Sequence, residues 1–261
     1  MIVSPPPGKR LNLQRLATTP LRETAYYVPY DDGSSGTSMT TESGEDWTPC
    51  WLDGGRVTVF LAGGPGSGKS YFASEILETL PRQANILLLT GLTEPDAHFT
   101  EFEEQKRLWR PSPLTVEKVK RMTLDNIRAG AKIPVLLFDD VDKISDDKVR
   151  KAVYALLEDA LANGRGHKKQ NGEGDIHVIY TGHSLNDFLK TKYVTENCDY
   201  VIAFPSGTTF MQYKQLMKKL GIEGDLVTDS FNWGKGRRWG SVIVKKTVPM
   251  YMIFGDTITL I

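Results

Sequence analysis

Val57-Thr58-Val59-Phe60-Leu61-Ala62-Gly63-Gly64-Pro65-Gly66-Ser67-Gly68-Lys69-Ser70 carries an apolar, β-branched run into a glycine-rich turn that closes on Gly-Lys-Ser. The spacing Gly63-x4-Gly68-Lys69-Ser70 is that of a P-loop, which cradles a nucleoside triphosphate. Gly63, Gly64, Gly66 and Gly68, with Pro65 and Ser67 between them, let the main chain wrap a phosphate without Cβ clashes. Successive N–H groups then converge on the β-phosphate. Lys69 supplies a mobile positive charge for the β and γ oxygens, and the Ser70 hydroxyl is placed to ligate Mg2+. A helix opening at this point adds its positive N-terminal end.

Outward from that turn, strand and helix patterns alternate. Val57 to Ala62 reads as a buried strand, and Lys69 to Leu80 as a helix with Phe72, Ile76, Leu77 and Leu80 on one face, stopped by Pro81. Ile86 to Leu89 is a second strand. A polar stretch with aromatics runs through Trp109, and a charged helix is expected from about Val116 to Arg128. Val135 to Phe138 is the third strand. Ser145 is the expected cap of the next helix, with Asp146 and Asp147 in its first turn and Val149, Val153, Leu156, Leu157, Ala160 and Leu161 as its apolar face. Ile176 to Thr181 and Tyr200 to Phe204 complete a mostly parallel sheet flanked by helices, an α/β P-loop fold. Additional strands such as Val242-Ile243-Val244 and Tyr251-Met252-Ile253-Phe254 are expected at the sheet's edge. The domain reading is an N-terminal arm over 1–50, an ATPase core over 51–225 and a C-terminal strand extension over 226–261.

The third strand delivers Asp139 and Asp140 at its carboxyl end. Beside a P-loop, the first carboxylate is placed to hold Mg2+. The second faces the other side of the strand end, where it is the candidate base for the attacking water. The fourth strand ends Thr181-Gly182-His183-Ser184. If it adjoins the P-loop strand, Thr181 or His183 can reach the γ-phosphate; otherwise His183 is a solvated turn residue and Ser184 caps the next helix. Arg165, in Asn163-Gly164-Arg165-Gly166-His167-Lys168-Lys169, is either a finger for a neighbouring subunit's ATP, a solvated charge, or a contact to nucleic-acid phosphate.

Composition sets outer bounds. Lys plus Arg and Asp plus Glu both total 32 in 261 residues, so any nucleic-acid contact must come from local basic patches. Cys50 and Cys198 show no metal-ligand spacing and are expected as reduced thiols. No apolar run is long enough for a transmembrane segment, so a soluble intracellular protein is expected. The first fifty residues open on Pro5-Pro6-Pro7, and Asp31 to Asp46 is too polar to fold alone. Ala25 to Tyr30 between them is a short strand, an anchor on a neighbour, or plain tether. Near the other end, Asn232 to Gly240 interleaves Trp233, Lys235, Arg237, Arg238 and Trp239, followed by Lys245 and Lys246. It is either a phosphate-tracking surface in a ring pore or a glycine-rich hairpin with its tryptophans on the core.

FLAGGPGSGKS and VLLFDD, then LEDALANGRGH, IHVIYTGHS and ENCDYVIAF, resemble the genome-packaging ATPases of the FtsK/HerA superfamily, in particular the poxvirus-type branch of large DNA viruses, virophages and membrane-containing icosahedral viruses. The resemblance covers Val57 to Phe204. It implies a homo-oligomeric ring of five or six copies that uses ATP and Mg2+ to drive double-stranded DNA into a capsid at a capsid or portal vertex, in the host cytoplasm or virion. Two positions depart from the family: His183 stands where a glutamine is usual, and Thr195 where a basic residue is usual, with Lys190 and Lys192 nearby. The second departure leaves Arg165 as the finger candidate.

Other classes fit the P-loop too. A clamp-loader-like AAA+ ATPase would follow the core with a helical bundle instead of strands. A nucleotide kinase would carry an arginine-rich lid and needs no tandem aspartates. A nucleotide-gated assembly protein would bind ATP and barely hydrolyse it.

Overall fold

The structure, a computed structural model, describes residues 56–94, 96–166, 174–183, 188–237, 239–247 and 250–254, with backbone alone for 188–191 and for strands at 10–12, 15–18, 24–27 and 257–260. Cys50, His167 to Lys169, Ser184, Arg238 and most of the arm lie outside the described residues. In chain order, β1 (Arg10–Asn12), β2 (Arg15–Thr18) and β3 (Thr24–Tyr27) come first. They are followed by β4 (Thr58–Gly63), α1 (Lys69–Thr79), β5 (Ala84–Thr90), α2 (Thr100–Glu104) and β6 (Leu108–Trp109). Next come α3 (Val116–Arg121), α4 (Leu124–Gly130), β7 (Ile133–Asp139), α5 (Asp147–Asn163) and β8 (His177–Gly182). The chain continues through α6 (Phe188–Asn197), β9 (Tyr200–Phe204), α7 (Phe210–Lys219) and α8 (Asp225–Lys235). It ends in β10 (Val242–Lys245), β11 (Tyr251–Phe254) and β12 (Thr257–Leu260).

Among the described residues, ten strands form one sheet in the order β1-β12-β11-β10-β9-β4-β8-β7-β5-β6, while β2 and β3 pair separately. From β9 to β6 the ladder is parallel, and from β9 outward through β10, β11, β12 and β1 it is antiparallel. Strand alternation decides the two faces. Val59 and Leu61 of β4 face α1, with Ala73, Ile76 and Leu77. Phe60 and Ala62 face the layer made by α5, α7 and α8. The six residues expected to form the apolar face of α5 are the ones it buries. Every parallel strand ends on the same side of the sheet, and the P-loop lies there, where α/β sheets bind ligands.

Three local expectations change. The charged stretch over Val116 to Arg128 is two helices, because Thr123 breaks it: its hydroxyl accepts from Asn126 N–H and caps a fresh helix. The cap of α5 is Asp146 in place of Ser145; its carboxylate accepts from the N–H groups of Lys148 and Val149, at 2.7 and 3.2 Å. The core is followed by α7 and α8 before any edge strand, so Asn232 to Lys235 is the last turn of a helix and Asn232 to Gly240 is no hairpin. Thr209 starts α7 with a capping box to Gln212, a signal present in the sequence as Thr-x-x-Gln.

Arg56, just before β4, ties the opposite edge together. It donates to the carbonyls of Ile176 at 3.0 Å, Leu161 at 3.1 Å and Ala160. Those last two carbonyls lie in the last turn of α5, where the Ala160 carbonyl also accepts the Gly164 N–H at 2.9 Å.

Candidate active site

The P-loop has the backbone that its glycines allow. Gly66 and Gly68 take φ of +69° and +100°, a region closed to most side chains. A Cβ on Gly63 would lie 2.6 Å from Ser67 Oγ, and one on Gly64 would lie 2.3 Å from the Gly207 carbonyl oxygen. The loop thus packs on the turn Pro205–Gly207 that follows β9. Ser67 Oγ is buried with no hydrogen-bond partner among the described residues. An orphaned buried hydroxyl beside converging N–H groups suits an incoming phosphate oxygen.

Lys69 folds back over the loop. Its Nζ donates to the carbonyls of Gly63 and Gly64, both at 2.9 Å, and lies 3.2 Å from His183 Nδ1. An ammonium has no acceptor, so Nδ1 accepts and the ring proton is assigned to Nε2. Nε2 in turn abuts an Asp140 carboxylate oxygen in a close contact that lacks aligned hydrogen-bond geometry. Burial lowers the Lys69 pKa against the raising pull of Asp140 and Asp139. Three of the expected site residues, Lys69, His183 and Asp140, are therefore in one contact chain.

β8 does adjoin β4, which brings the second constellation to the loop. Asp139 is almost fully buried and Ser70 Oγ lies 3.4 Å from its Oδ1. The Thr181 hydroxyl donates to that same oxygen at 2.7 Å and accepts from the Asp140 N–H at 3.2 Å. Thr181 is thus committed between the two aspartates and does not reach outward. Burial pushes the Asp139 carboxyl up to about 6, with the Thr181 bond pulling it down and Asp140 adding to the rise. A buried carboxylate next to a serine hydroxyl, short of positive charge, is a fitting donor set for Mg2+.

Asp140 has φ 49°, a left-handed conformation that aspartate tolerates. This turns its carboxylate away from Asp139. Lys143, one turn on in Val141–Lys143, meets its Oδ2 at 2.5 Å. Lys143 was not foreseen; the signal was its i,i+3 spacing from Asp140 in Asp-Asp-Val-Asp-Lys.

Arg165 is exposed and lies at the other end of the sheet. Gly164, beside it, accepts from Ile176 N–H where β8 begins, whereas the P-loop follows the end of β4. Within one chain it does not join the site.

The basic and aromatic residues near the end separate as well. Trp233 packs on the core against Phe254, with the Arg237 guanidinium 4.7 Å from its ring centroid. Lys245 pairs with Tyr200 at the start of β9, and Lys246 donates to the Thr195 carbonyl. Both lie at the far edge from Lys235 and Arg237, so these cations form no single patch. Trp239 departs from the expected core position: it stacks on Tyr71 beside the P-loop, at 5.3 Å between centroids.

Comparison with known proteins agrees with this geometry. The family model for the AAA domain (dynein-related subfamily) matches residues 58–196, just over half of the chain. "Uncharacterized protein V3" of Sputnik virophage is 23% identical over 215 residues, 76% of this chain and 75% of that protein. The Lon protease of Mycoplasma mobile is 27% identical over 141 residues, 52% of this chain but 16% of the protease. Among solved structures, the monomer form of the pCW3 conjugation coupling protein TcpA with ATPγS superposes with a TM-score of 0.52 at 12% identity, covering 94% of this chain and 77% of that one. That likeness is one of fold. With the P-loop, the tandem aspartates and the sheet order around them in place, the chain belongs to the AAA domain family, dynein-related subfamily.

Proposed function

We propose that this AAA-type P-loop ATPase is a genome-packaging motor: a homo-oligomeric ring of five or six copies that hydrolyses ATP with Mg2+ and drives double-stranded DNA into a viral capsid at a capsid or portal vertex. The observation that carries the hydrolytic half is the Asp139–Asp140 pair held against Ser70, Lys69 and His183 by Thr181. The DNA half is supported by the resemblance across Val57 to Phe204 to the FtsK/HerA-type packaging ATPases and by the virophage relative over three quarters of the chain. The fold shared with a conjugation coupling protein supports it further. On this reading the chain divides into an arm at 1–50, a core at 51–225 and an extension at 226–261.

The roles follow from the contacts. Bound MgATP would supply the scissile phosphoanhydride and a cation to offset the charge that develops on it. Ser70 and Asp139 would hold that cation, and Gly63 through Ser70 the phosphates. Lys69 exchanges two carbonyl acceptors for phosphate oxygens, which frees His183 Nδ1 from it. Asp140 accepts the proton of the attacking water through the carboxylate that Lys143 anchors at 2.5 Å. Arg165, on the opposite edge, serves as the finger of the adjacent subunit.

Steady-state phosphate release with and without double-stranded DNA, for wild type and Lys69→Ala, tests this. DNA should stimulate the wild type, and Lys69→Ala should release no phosphate above background. Absence of a DNA effect together with phosphate transfer to a nucleoside would overturn the motor in favour of a kinase.

A further inference from the structure

We infer that Trp239, backed by Tyr71, is the platform on which the base of the bound nucleoside triphosphate stacks; this rests on the nucleotide reading above. Trp239 comes from the segment between α8 and β10, far from the P-loop in sequence. A Cβ placed on Gly68 would lie 2.9 Å from Trp239 Cδ1, so the indole rests directly on the P-loop backbone. Its ring stacks on Tyr71 at an interplanar angle of 23°, and Tyr71 meets His98 edge-on at 5.6 Å. The indole nevertheless keeps 44% of its surface exposed.

The position is built by close backbone approaches. A Cβ on Gly240 would lie 2.7 Å from the Gly234 carbonyl oxygen, one on Gly234 would lie 2.6 Å from Pro205 Cγ, and Gly207 abuts Gly64 in the loop itself. Glycines thus fasten α8 and the segment after it onto the P-loop. Trp239 itself has φ 65°, a costly conformation for a bulky residue. Such strain persists where the surroundings impose it, commonly around ligands. A tryptophan needed simply to cover apolar surface would not be held half-exposed at that cost.

The chemistry matches the place. The N–H groups from Gly68 to Tyr71 open α1 and face the β- and α-phosphates of a P-loop ligand. A nucleoside hangs from the α-phosphate through its 5′ carbon, so its base falls within one sugar of this turn. A flat aromatic ring there offers stacking, strongest for the large face of a purine.

The test is calorimetric binding of ATP and of inorganic tripolyphosphate to wild type, Trp239→Ala, Trp239→Phe and Lys69→Ala, each checked for folding by circular dichroism. Trp239→Ala should weaken ATP by on the order of tenfold, the size of one lost stacking contact. Trp239→Phe should restore most of it, and tripolyphosphate should bind all three alike. Unchanged ATP binding by Trp239→Ala overturns the inference, as does an equal loss for both ligands, which would make Trp239 a prop of the loop. Lys69→Ala should weaken both ligands. A wild-type chain that binds neither overturns the nucleotide reading and the base platform with it.

Discussion

Replacing Gly64 by alanine isolates one contact at the heart of the site. Its φ is not in the left-handed region, so the variant carries no backbone strain of its own. What it adds is a methyl group 2.3 Å from the Gly207 carbonyl oxygen, 3.0 Å from that carbonyl carbon and 3.1 Å from Gly207 Cα. For the carbonyl oxygen ordinary contact begins about 1 Å further out, and all three neighbours are main chain, so none can swing aside. Nor can the Pro205–Gly207 turn retreat, because Pro205 is packed against Gly234. Overpacking of this kind costs about 1–3 kcal/mol. If the P-loop absorbs the displacement, phosphate groups misplaced by about 1 Å cost roughly a hundredfold in turnover. Gly130→Ala is the control: nothing lies within 4 Å of its Cβ, and it ends an exposed helix. It should be neutral or gain up to about 1 kcal/mol. Urea denaturation and ATP titration on both variants give the answer. A Gly64→Ala protein within about 0.5 kcal/mol of wild type that binds ATP normally would refute the account of a P-loop wedged against the turn after β9.

Asp140→Asn removes the candidate base while keeping the side chain's shape; turnover should fall by about 10²–10⁴-fold with nucleotide binding retained, and full turnover in the phosphate-release assay would sink the hydrolytic role. His177 predicts the acid limb of stability. Burial lowers its pKa from 6.5 to about 4, and its Nδ1 accepts the Val57 N–H at 3.2 Å. Between those values the unfolded chain binds a proton that the folded chain refuses, so stability is lost as pH falls from about 6.5 towards 4, by up to about 3 kcal/mol. His177→Asn, whose Oδ1 can take over the acceptor role, should flatten that limb in urea midpoints measured from pH 7.5 to 4.5; an unchanged slope would show that other groups cause it.

The parts of this molecule legible in its sequence are those whose signal is local. The P-loop needs its glycines in order, so Gly63 to Ser70 reads directly. The strands of the parallel core are unbroken apolar runs because both faces are covered, and the buried stripe of α5 follows the helical period residue for residue. Boundaries yielded less: threonine at 123 looks like any polar helix residue until its hydroxyl is seen capping α4. The site's second half was legible as a set of residue types but not as contacts. Thr181 and His183 meet Asp139 and Asp140 across strands whose adjacency is a fact of topology, while Lys143 reaches Asp140 from the turn after β7. Trp239 was hardest. Its meaning depends on close approaches between glycines at 64, 207, 234 and 240, pairs separated by intervals that no local pattern marks.

β9 is hydrogen-bonded on one side to the P-loop strand β4 and on the other to β10, which carries β11, β12 and β1 outward in the same sheet. Among the described residues a continuous ladder joins the P-loop strand to the outermost strands; bending it would break ladder hydrogen bonds one after another. The sheet is therefore built as a plank and not as a hinged arm. If copies assemble into the proposed ring, its moving joints fall between copies, and the stroke per ATP would be set by how far neighbouring copies slide or tilt, not by any folding of one sheet upon itself.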